Sequence, residues 1–434
     1  MSHTTTPPQV TLGQWPGTDA DPDLILRPGD AAYREAVTTM LGTGTPDLVV
    51  RPRSAEQVVD AVHRASALEV PLTVRAGGHS LAAASTVTEG ILLDLRRMHT
   101  IEVDPATRVV RIGGGACWGR VARALAPHGL GLTAGDTAGV GVGGLTLGGG
   151  IGWMVRRHGL AIDSLVGAQL VTPDGRFLEV SAHQHPDLFR AVRGGGPGLG
   201  VVTRFDFVAQ QVGDVVFGRL MVELEDPAAT LAAWRDVQLG ADERLTTTIT
   251  MPPATADQPP LAIVAVCFAG PEDEAAPLID RLRRVGGTLL SDDVAARPYA
   301  QILDEEGHDG ADEGGTDAHP AAGIQLTARN SLLPALGDQV IADLAALTRA
   351  PATVVSVRAL GGAFSRVPEH ATAFPDRSAQ AMVVALRMTP VDPGAASGPG
   401  AASGEIEGWD RLARHGRGAY RNFLSEVPVH AEAS

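Results

Sequence analysis

Arg75-Ala76-Gly77-Gly78-His79-Ser80 comes directly after the apolar, β-branched run Leu72 to Arg75, and the fold turns on how this hexapeptide is read. Consecutive glycines accept positive φ and, without side chains, let backbone N–H groups converge on an anion as a nest. A pyrophosphate suits such a site: no carboxylate lies between Val70 and Ser80 to repel it, and Ser80 adds a hydroxyl donor. The same six residues also read as a plain Gly-Gly turn between two strands, so two further glycine clusters downstream decide between the readings.

The second glycine cluster runs from Gly135-Asp136-Thr137-Ala138-Gly139-Val140 through Gly141-Val142-Gly143-Gly144-Leu145-Thr146-Leu147 to Gly148-Gly149-Gly150-Ile151-Gly152. Gly139, Gly141 and Gly144 satisfy Gly-x-Gly-x-x-Gly. That fingerprint, however, needs a strand before it and a helix after it, whereas here more glycines come at once, which argues against a nicotinamide domain. Such density predicts backbone lying flat against a large planar ligand. The interleaved Val140, Val142, Leu145, Leu147 and Ile151 are too regular for a solvated linker. A third cluster, Arg193-Gly194-Gly195-Gly196-Pro197-Gly198-Leu199-Gly200, sits between a predicted helix, Pro186 to Val192, and a predicted strand, Val201 to Val208. Alone it reads as a helix C-cap and turn; with the other two it describes a groove.

Around these clusters, Asp47 to Val208 alternates short β-rich runs with helical patterns, an α/β or α+β texture. Ser54-Ala55-Glu56-Gln57 reads as a capping box opening a helix through Ala67, with Val58, Val59 and Val62 facing inward. Strands are predicted at Leu72 to Arg75, Ile91 to Leu95, Arg108 to Gly113 and Leu165 to Thr172, and a helix at Cys117 to Ala126. Beyond Val208 the glycines thin out, and Val215 to Leu224, Leu261 to Phe268 and Thr353 to Leu360 read as strands of a second sheet. The expected division is residues 1–213 (core 47–208), 214–410, and a returning C-terminal segment, 411–434. Asp304 to His319 reads as a solvated acidic loop without metal-ligand spacing, and Pro393 to Gly404, with Gly-Ala-Ala-Ser-Gly twice, as a flexible linker.

The bulk numbers exclude several classes. A chain of 434 residues suits two lobes, and with 44% hydrophobic but only 4% aromatic residues its core must be built from Ala, Val and Leu. The net charge of −15, carried against Arg alone with no Lys, opposes nucleic acid and anionic lipid as partners. Met1 to Val10 lacks a cationic region followed by an apolar core, and no apolar run spans a bilayer, so a soluble cytoplasmic protein is expected. Cys117 and Cys267 are expected as ordinary buried thiols, and no metal site is predicted.

Together these motifs resemble the covalent FAD-linked oxidases with a vanillyl-alcohol-oxidase-type (PCMH) flavin domain, in the berberine-bridge-enzyme-like and hydroxynicotine-oxidase-like branch. The resemblance is strong over Asp47 to Val208 and weaker at Pro298 to Asp304, Gly361 to Arg377 and Tyr420 to Phe423. It implies an α+β fold: a two-lobed FAD-binding domain and an α/β substrate domain with an antiparallel sheet. It also implies that Arg75, Ala76, Gly77, Gly78, His79 and Ser80 wrap the FAD pyrophosphate and that His79 bonds to the flavin 8α-methyl carbon. Neutral imidazole is a competent nucleophile for that bond. Where many relatives place a second, cysteinyl link, this chain has Thr137, so a single histidyl bond is expected. Val140 matches the residue that gates dioxygen beside the flavin, and valine there favours an oxidase. Gly135, Gly141, Gly144, Gly149 and Gly152 belong to the implied flavin wall. Trp153 to Asp163 matches the segment after it, and Val202 would pack near the cofactor through its backbone.

The chain departs from the family at three places. Gly198-Leu199-Gly200 after Pro197 replaces Gly-Asn-Phe-Gly, Asp376 stands where histidine is common, and Arg358-Ala359 replaces the glutamate or aromatic residue of the substrate-facing strand. The family's acid/base therefore has no counterpart there. Of Tyr33, Tyr299 and Tyr420, the last is the candidate base, and Tyr420 or Asn422 is expected to touch cofactor or substrate; the bland reading makes Tyr420 a packing residue. The family's final helix and closing motif have no match before Ser434. The implied reaction oxidises a small alcohol, amine or phenolic secondary metabolite by hydride transfer to flavin N5, with dioxygen reduced to hydrogen peroxide. The Arg-only, Ala/Gly-rich composition suggests a GC-rich bacterial source. The rivals are a redox-silent flavin-containing cyclase or ligand-binding scaffold, and a dehydrogenase passing electrons to another acceptor.

Overall fold

The computed structural model describes Trp15 and residues 21–255, 259–304, 324–390 and 404–425. The expected acidic loop and Gly/Ala/Ser linker fall at 305–319 and 393–403, outside the described residues. The capping reading of Ser54 holds: its side chain accepts from Gln57 N–H, and the helix Ala55–Leu68 buries Val58, Ala61, Val62 and Ala65. Val59 packs against the same core half-buried. That helix lies against a four-stranded sheet ordered Ile25–Leu26, Leu48–Val50, Ile91–Asp94, Leu72–Arg75, in which the last three strands are parallel. Leu48, Val50, Ile91 and Leu93 fill the space between, each 0–1% exposed.

The next sheet is antiparallel and five-stranded, ordered Phe177–Ser181, Leu165–Val171, Val201–Val208, Val109–Gly113, Ile101–Asp104. The helices Trp118–Leu125 and Pro186–Val192 belong to the same lobe, as the sequence predicts. From Asp214 on, the strands enter a different, eight-stranded antiparallel sheet. Its order is Leu289–Asp292, Asp214–Glu223, Leu261–Phe268, Leu245–Met251, Thr353–Ala359, Ala381–Pro390, Ile324–Leu333, with Ala295–Pro298 also on the second strand. Period-two alternation divides that sheet between two cores. Val216, Leu220 and Val222 face the helices Pro227–Gln238, Glu272–Leu282 and Asp338–Leu347, whereas Val215 and Phe217 join Trp153 and the first lobe's interior. The second face is thus turned toward the glycine clusters, which places a site between the lobes.

Two expectations need correction. A helix does follow Gly141, although the glycines crowded after it argued against one: Val142–Gly148 is a short α-helix entered from the isolated bridge Cys117–Gly141. Glycine disfavours helix, yet Val142, Leu145 and Thr146 recur at helical spacing and are buried, and burial outweighs propensity. Of the two cysteines only Cys267 is fully buried, its thiol pushed up to about 12 by desolvation; Cys117 is half-buried. No helix among the described residues is long and apolar enough to cross a membrane.

Candidate active site

The first two glycine clusters meet backbone to backbone. A Cβ on Gly77 would lie 2.3 Å from Gly141 N and 2.6 Å from Gly139 O, and one on Gly141 would strike Gly77 N at 2.3 Å. No other residue type allows this approach. Gly78, at φ +75°, turns the chain under the Arg75 guanidinium, and the His79 ring lies against Gly139, its Nε2 3.0 Å from where a Cβ would stand there. Burial, then the charge of Arg75, holds His79 below the ordinary imidazole range, so it stays neutral at physiological pH. Arg75 is 1% exposed. Its Nη1 donates to the carbonyls of Ala36 and Glu35, while Nε and Nη2 are buried without a partner among the described residues. Burial first, then Arg96, lowers Arg75 to about 10, which still leaves it cationic. Ser80 Oγ accepts from Ala84 N–H at 3.4 Å.

On the other wall, Val140 N–H donates to Thr137 O at 3.3 Å, and this turn leaves Thr137 and Val140 half-buried. Gly144 is exposed and has nothing within 4 Å of its open side. Gly135 is closed off by Leu145, Gly149 (φ +127°) by Phe374, and Gly152 by Ala134, whose oxygen is 1.3 Å from the position of a Cβ. Val202 is buried and presents its carbonyl to Gly114. Gly194, Gly196, Gly198 and Gly200 all have positive φ, and Gly196 N–H donates to Leu147 O at 2.9 Å, tying the third cluster to the second. Unpaired guanidinium N–H groups beside a nest, a neutral imidazole and an uncovered glycine face suit a large planar ligand with an anionic tail, so these residues fit FAD.

The returning segment closes the far side. Asn422 Nδ2 donates to Leu145 O at 3.1 Å and to Tyr420 Oη at 2.8 Å, and Asn330 clamps the segment by bonds to Tyr420 and Phe423 carbonyls. Tyr420 is 2% exposed, among Phe364, Phe374 and Ile151. Burial pushes its phenol up to about 12, while Asn422 and the Ile151 and Gly150 backbone N–H groups stabilise the oxygen.

The sequence patterns assign no role to Asp136, although it is the one charged residue from Gly135 to Gly152. Its carboxylate pairs with Arg358 Nη2 across the gap between lobes. Arg358 Nε donates to Thr248 Oγ1 at 2.9 Å, from the facing position of the neighbouring strand, and the guanidinium lies over the Trp153 ring at 4.7 Å. Asp376 is buried and accepts from Ser378 N–H and Oγ, each at 2.7 Å. No group of three His, Cys, Asp or Glu side chains among the described residues could hold a metal.

One acid-sensitive group lies beside the site. His158 is driven to about 4 chiefly by burial, then by Arg157, and its Nε2 is buried without a partner among the described residues. A histidine lowered on folding takes up its proton more readily in the unfolded chain. Stability is therefore expected to fall as pH drops from about 6.5 to about 4 and to level off below that. The apparent Tm against pH should lose this step in His158→Asn.

An FAD binding domain family matches residues 46–181. A Bacillus subtilis (strain 168) FAD-linked oxidoreductase, YgaK, is 32% identical over 366 residues, covering 82% of this chain and 78% of that protein. A Dictyostelium discoideum FAD-linked oxidoreductase is 30% identical over 285 residues, covering 64% of this chain and 61% of that protein. The crystal structure of 6-hydroxy-D-nicotine oxidase from Arthrobacter nicotinovorans superposes with TM-score 0.73 at 25% identity, over 93% of this chain and 89% of that one. Sheets, glycine walls and structural likeness together define a vanillyl-alcohol-oxidase-type (PCMH) fold of the α+β class. The chain belongs to the FAD-linked oxidoreductases.

Proposed function

We propose that the protein is an oxidase that holds FAD covalently through His79, oxidises a small organic molecule carrying an alcohol, amine or phenol, and passes the electrons to dioxygen. The observation that carries this reading is the His79 ring lying neutral against Gly139, where the two glycine loops touch. Bound FAD supplies a two-electron oxidant able to take a hydride. Arg75 to Ser80 hold its pyrophosphate with backbone N–H groups and a guanidinium, while Gly141, Gly144 and Val202 leave room for the ring system. Val140, small and half-buried, leaves dioxygen a way in. Tyr420, whose burial keeps its proton on, fixes Asn422 and the Gly150–Ile151 backbone beside the cofactor. Residues 1–213, 214–410 and 411–434 act as flavin lobe, substrate lobe and returning clasp. The named activity of the structurally similar nicotine oxidase supports an oxidase over a redox-silent scaffold.

The test is to denature the purified protein in acid, separate it on a gel and look for flavin fluorescence on the band, with His79→Ala alongside. Fluorescence should stay with the wild type and vanish from the variant. A panel of alcohols, amines and phenols should then yield substrate-dependent peroxide. Flavin released from the wild type would sink the tether; a loaded enzyme giving no peroxide would favour the redox-silent reading.

A further inference from the structure

A hydride can leave an alcohol or amine carbon only if the proton on the neighbouring oxygen or nitrogen has somewhere to go. The three tyrosines do not offer a place. Tyr33, at the start of the helix Tyr33–Val37, has its Oη committed to Pro46 O at 2.5 Å, and Tyr299 Oη donates to Leu132 O at 3.0 Å. Tyr420 is 2% exposed, and burial pushes its phenol up to about 12 despite the N–H groups facing its oxygen, so it keeps its proton at neutral pH.

Asp136 differs from all three. One carboxylate oxygen, Oδ2, is held by Arg358 Nη2, and Oδ1 has no hydrogen-bond partner among the described residues. The Asp136 side chain is 24% exposed, against 7% for Arg358, so the carboxylate is the open member of the pair. The residue stands on the same loop as Gly139, against which His79 rests, and its charge reaches both Tyr420 and Tyr299. Arg358 is itself locked, by the Thr248 hydroxyl at 2.9 Å and by the Trp153 face at 4.7 Å, and Trp153 meets Phe217 edge-on at 5.1 Å. A partly open carboxylate held ionised by a nearly buried, braced guanidinium is an oriented proton acceptor, fixed in aim at the cost of some basicity.

We infer that Asp136 is the proton acceptor of this active site and that Arg358 is the positioning residue that aims it. The inference rests on the oxidase reading and deepens it: the substrate carries an H–X–C–H unit, with X oxygen or nitrogen. The X–H bond breaks and its proton goes to Asp136 Oδ1. The C–H bond breaks and its electron pair leaves with the hydrogen, as hydride, to the bound flavin oxidant, and the product keeps a C=X double bond. Dioxygen is the final acceptor and, with two protons, leaves as hydrogen peroxide.

The test uses the flavin-loaded enzyme and Asp136→Asn, with Arg358→Gln and Arg358→Lys beside it. On whichever alcohol or amine the panel selects, Asp136→Asn should lower kcat/KM about 10²–10⁴-fold, mostly through kcat. Flavin content should stay at the wild-type level. Arg358→Gln should lower kcat by a smaller factor than Asp136→Asn with flavin content unchanged, and Arg358→Lys should restore part of the loss, as expected of a residue that aims the carboxylate. A readout without turnover uses benzylammonium, titrated at pH 7 and followed by the flavin absorbance. Its binding should weaken tenfold or more in Asp136→Asn, and benzoate should show the opposite preference. If Asp136→Asn keeps kcat/KM within threefold, or if benzylammonium binds both proteins alike or neither, the inference is overturned while the oxidase reading stands. A loaded wild type that oxidises nothing would instead overturn the oxidase reading, and the benzylammonium titration would still decide whether Asp136 faces the substrate space.

Discussion

Gly152→Ala is expected to prevent the protein from accumulating in folded form. The added Cβ would stand 1.3 Å from Ala134 O and 2.4 Å from Ala134 C, so the obstacle is backbone, not the movable end of a side chain. Ala134 cannot retreat, because it is 0% exposed and wedged with Trp118, Trp153 and Leu132 in the first lobe's core. Overpacking a core by a methylene usually costs about 1–3 kcal/mol. A collision at bonding distance with fixed backbone should exceed that and consume most of the roughly 5–15 kcal/mol that keeps a domain folded. Soluble yield and the urea midpoint are the measurements, and Gly144→Ala is the control. Nothing lies within 4 Å of Gly144's open side, and it sits inside a helix, where alanine is favoured over glycine by about 0.5–1 kcal/mol. Gly144→Ala should therefore fold as well as wild type but bind less flavin, if its open face is the proposed cofactor wall. A normally folded Gly152→Ala protein would mean that the second cluster packs otherwise than described.

The contrast between these two glycines shows what the sequence can and cannot reveal. Their abundance in one stretch is legible, as is their alternation with Val140, Val142, Leu145 and Leu147, and both point to a wall with no room for side chains. Which glycine meets backbone and which meets open space depends on partners such as Ala134, and the short helix Val142–Gly148 is hidden by glycine's low propensity. Strands are easier: Val201–Val208 and Leu261–Phe268 are found at the predicted bounds, because β-branched runs between turn residues carry their own signal. His79 is legible through its neighbours Gly77 and Gly78. Asp136 and Arg358 are not legible as a pair, since 222 residues separate them and only the stacking of one lobe on the other joins them. A lone charge in a glycine-rich run is the available signal for Asp136, and a charged residue on a substrate-facing strand is the signal for Arg358.

Arg377→Met should cost about 3–5 kcal/mol, because it leaves a buried carboxylate without its cation. Arg377 is 3% exposed, and its Nη1 and Nη2 donate to the two oxygens of Asp163 at 2.9 and 2.8 Å, with a further bond to Thr372 Oγ1 at 3.0 Å. Phe364 and Phe374 lie against the guanidinium at 5.5 and 5.3 Å and offer no polar group to replace the lost bonds. Removing both partners should be milder than removing one: Arg377→Met with Asp163→Asn retains an acceptor for Leu160 N–H, which now donates to Asp163 Oδ2 at 2.7 Å, and no charge is stranded. Urea unfolding of the two single variants and the double variant gives the coupling energy, and an Arg377→Met protein within about 1 kcal/mol of wild type would show the pair to be dispensable. The loss should also reach the cofactor. Ala161 and Ile162, beside Asp163, donate to the carbonyls of Gly150 and Gly149 at 2.9 and 3.1 Å, and Gly149 stacks on Phe374. One ion pair from the second lobe thus holds the segment that braces the end of the glycine wall, and its rupture should lower the flavin retained on purification even under conditions where the chain remains folded.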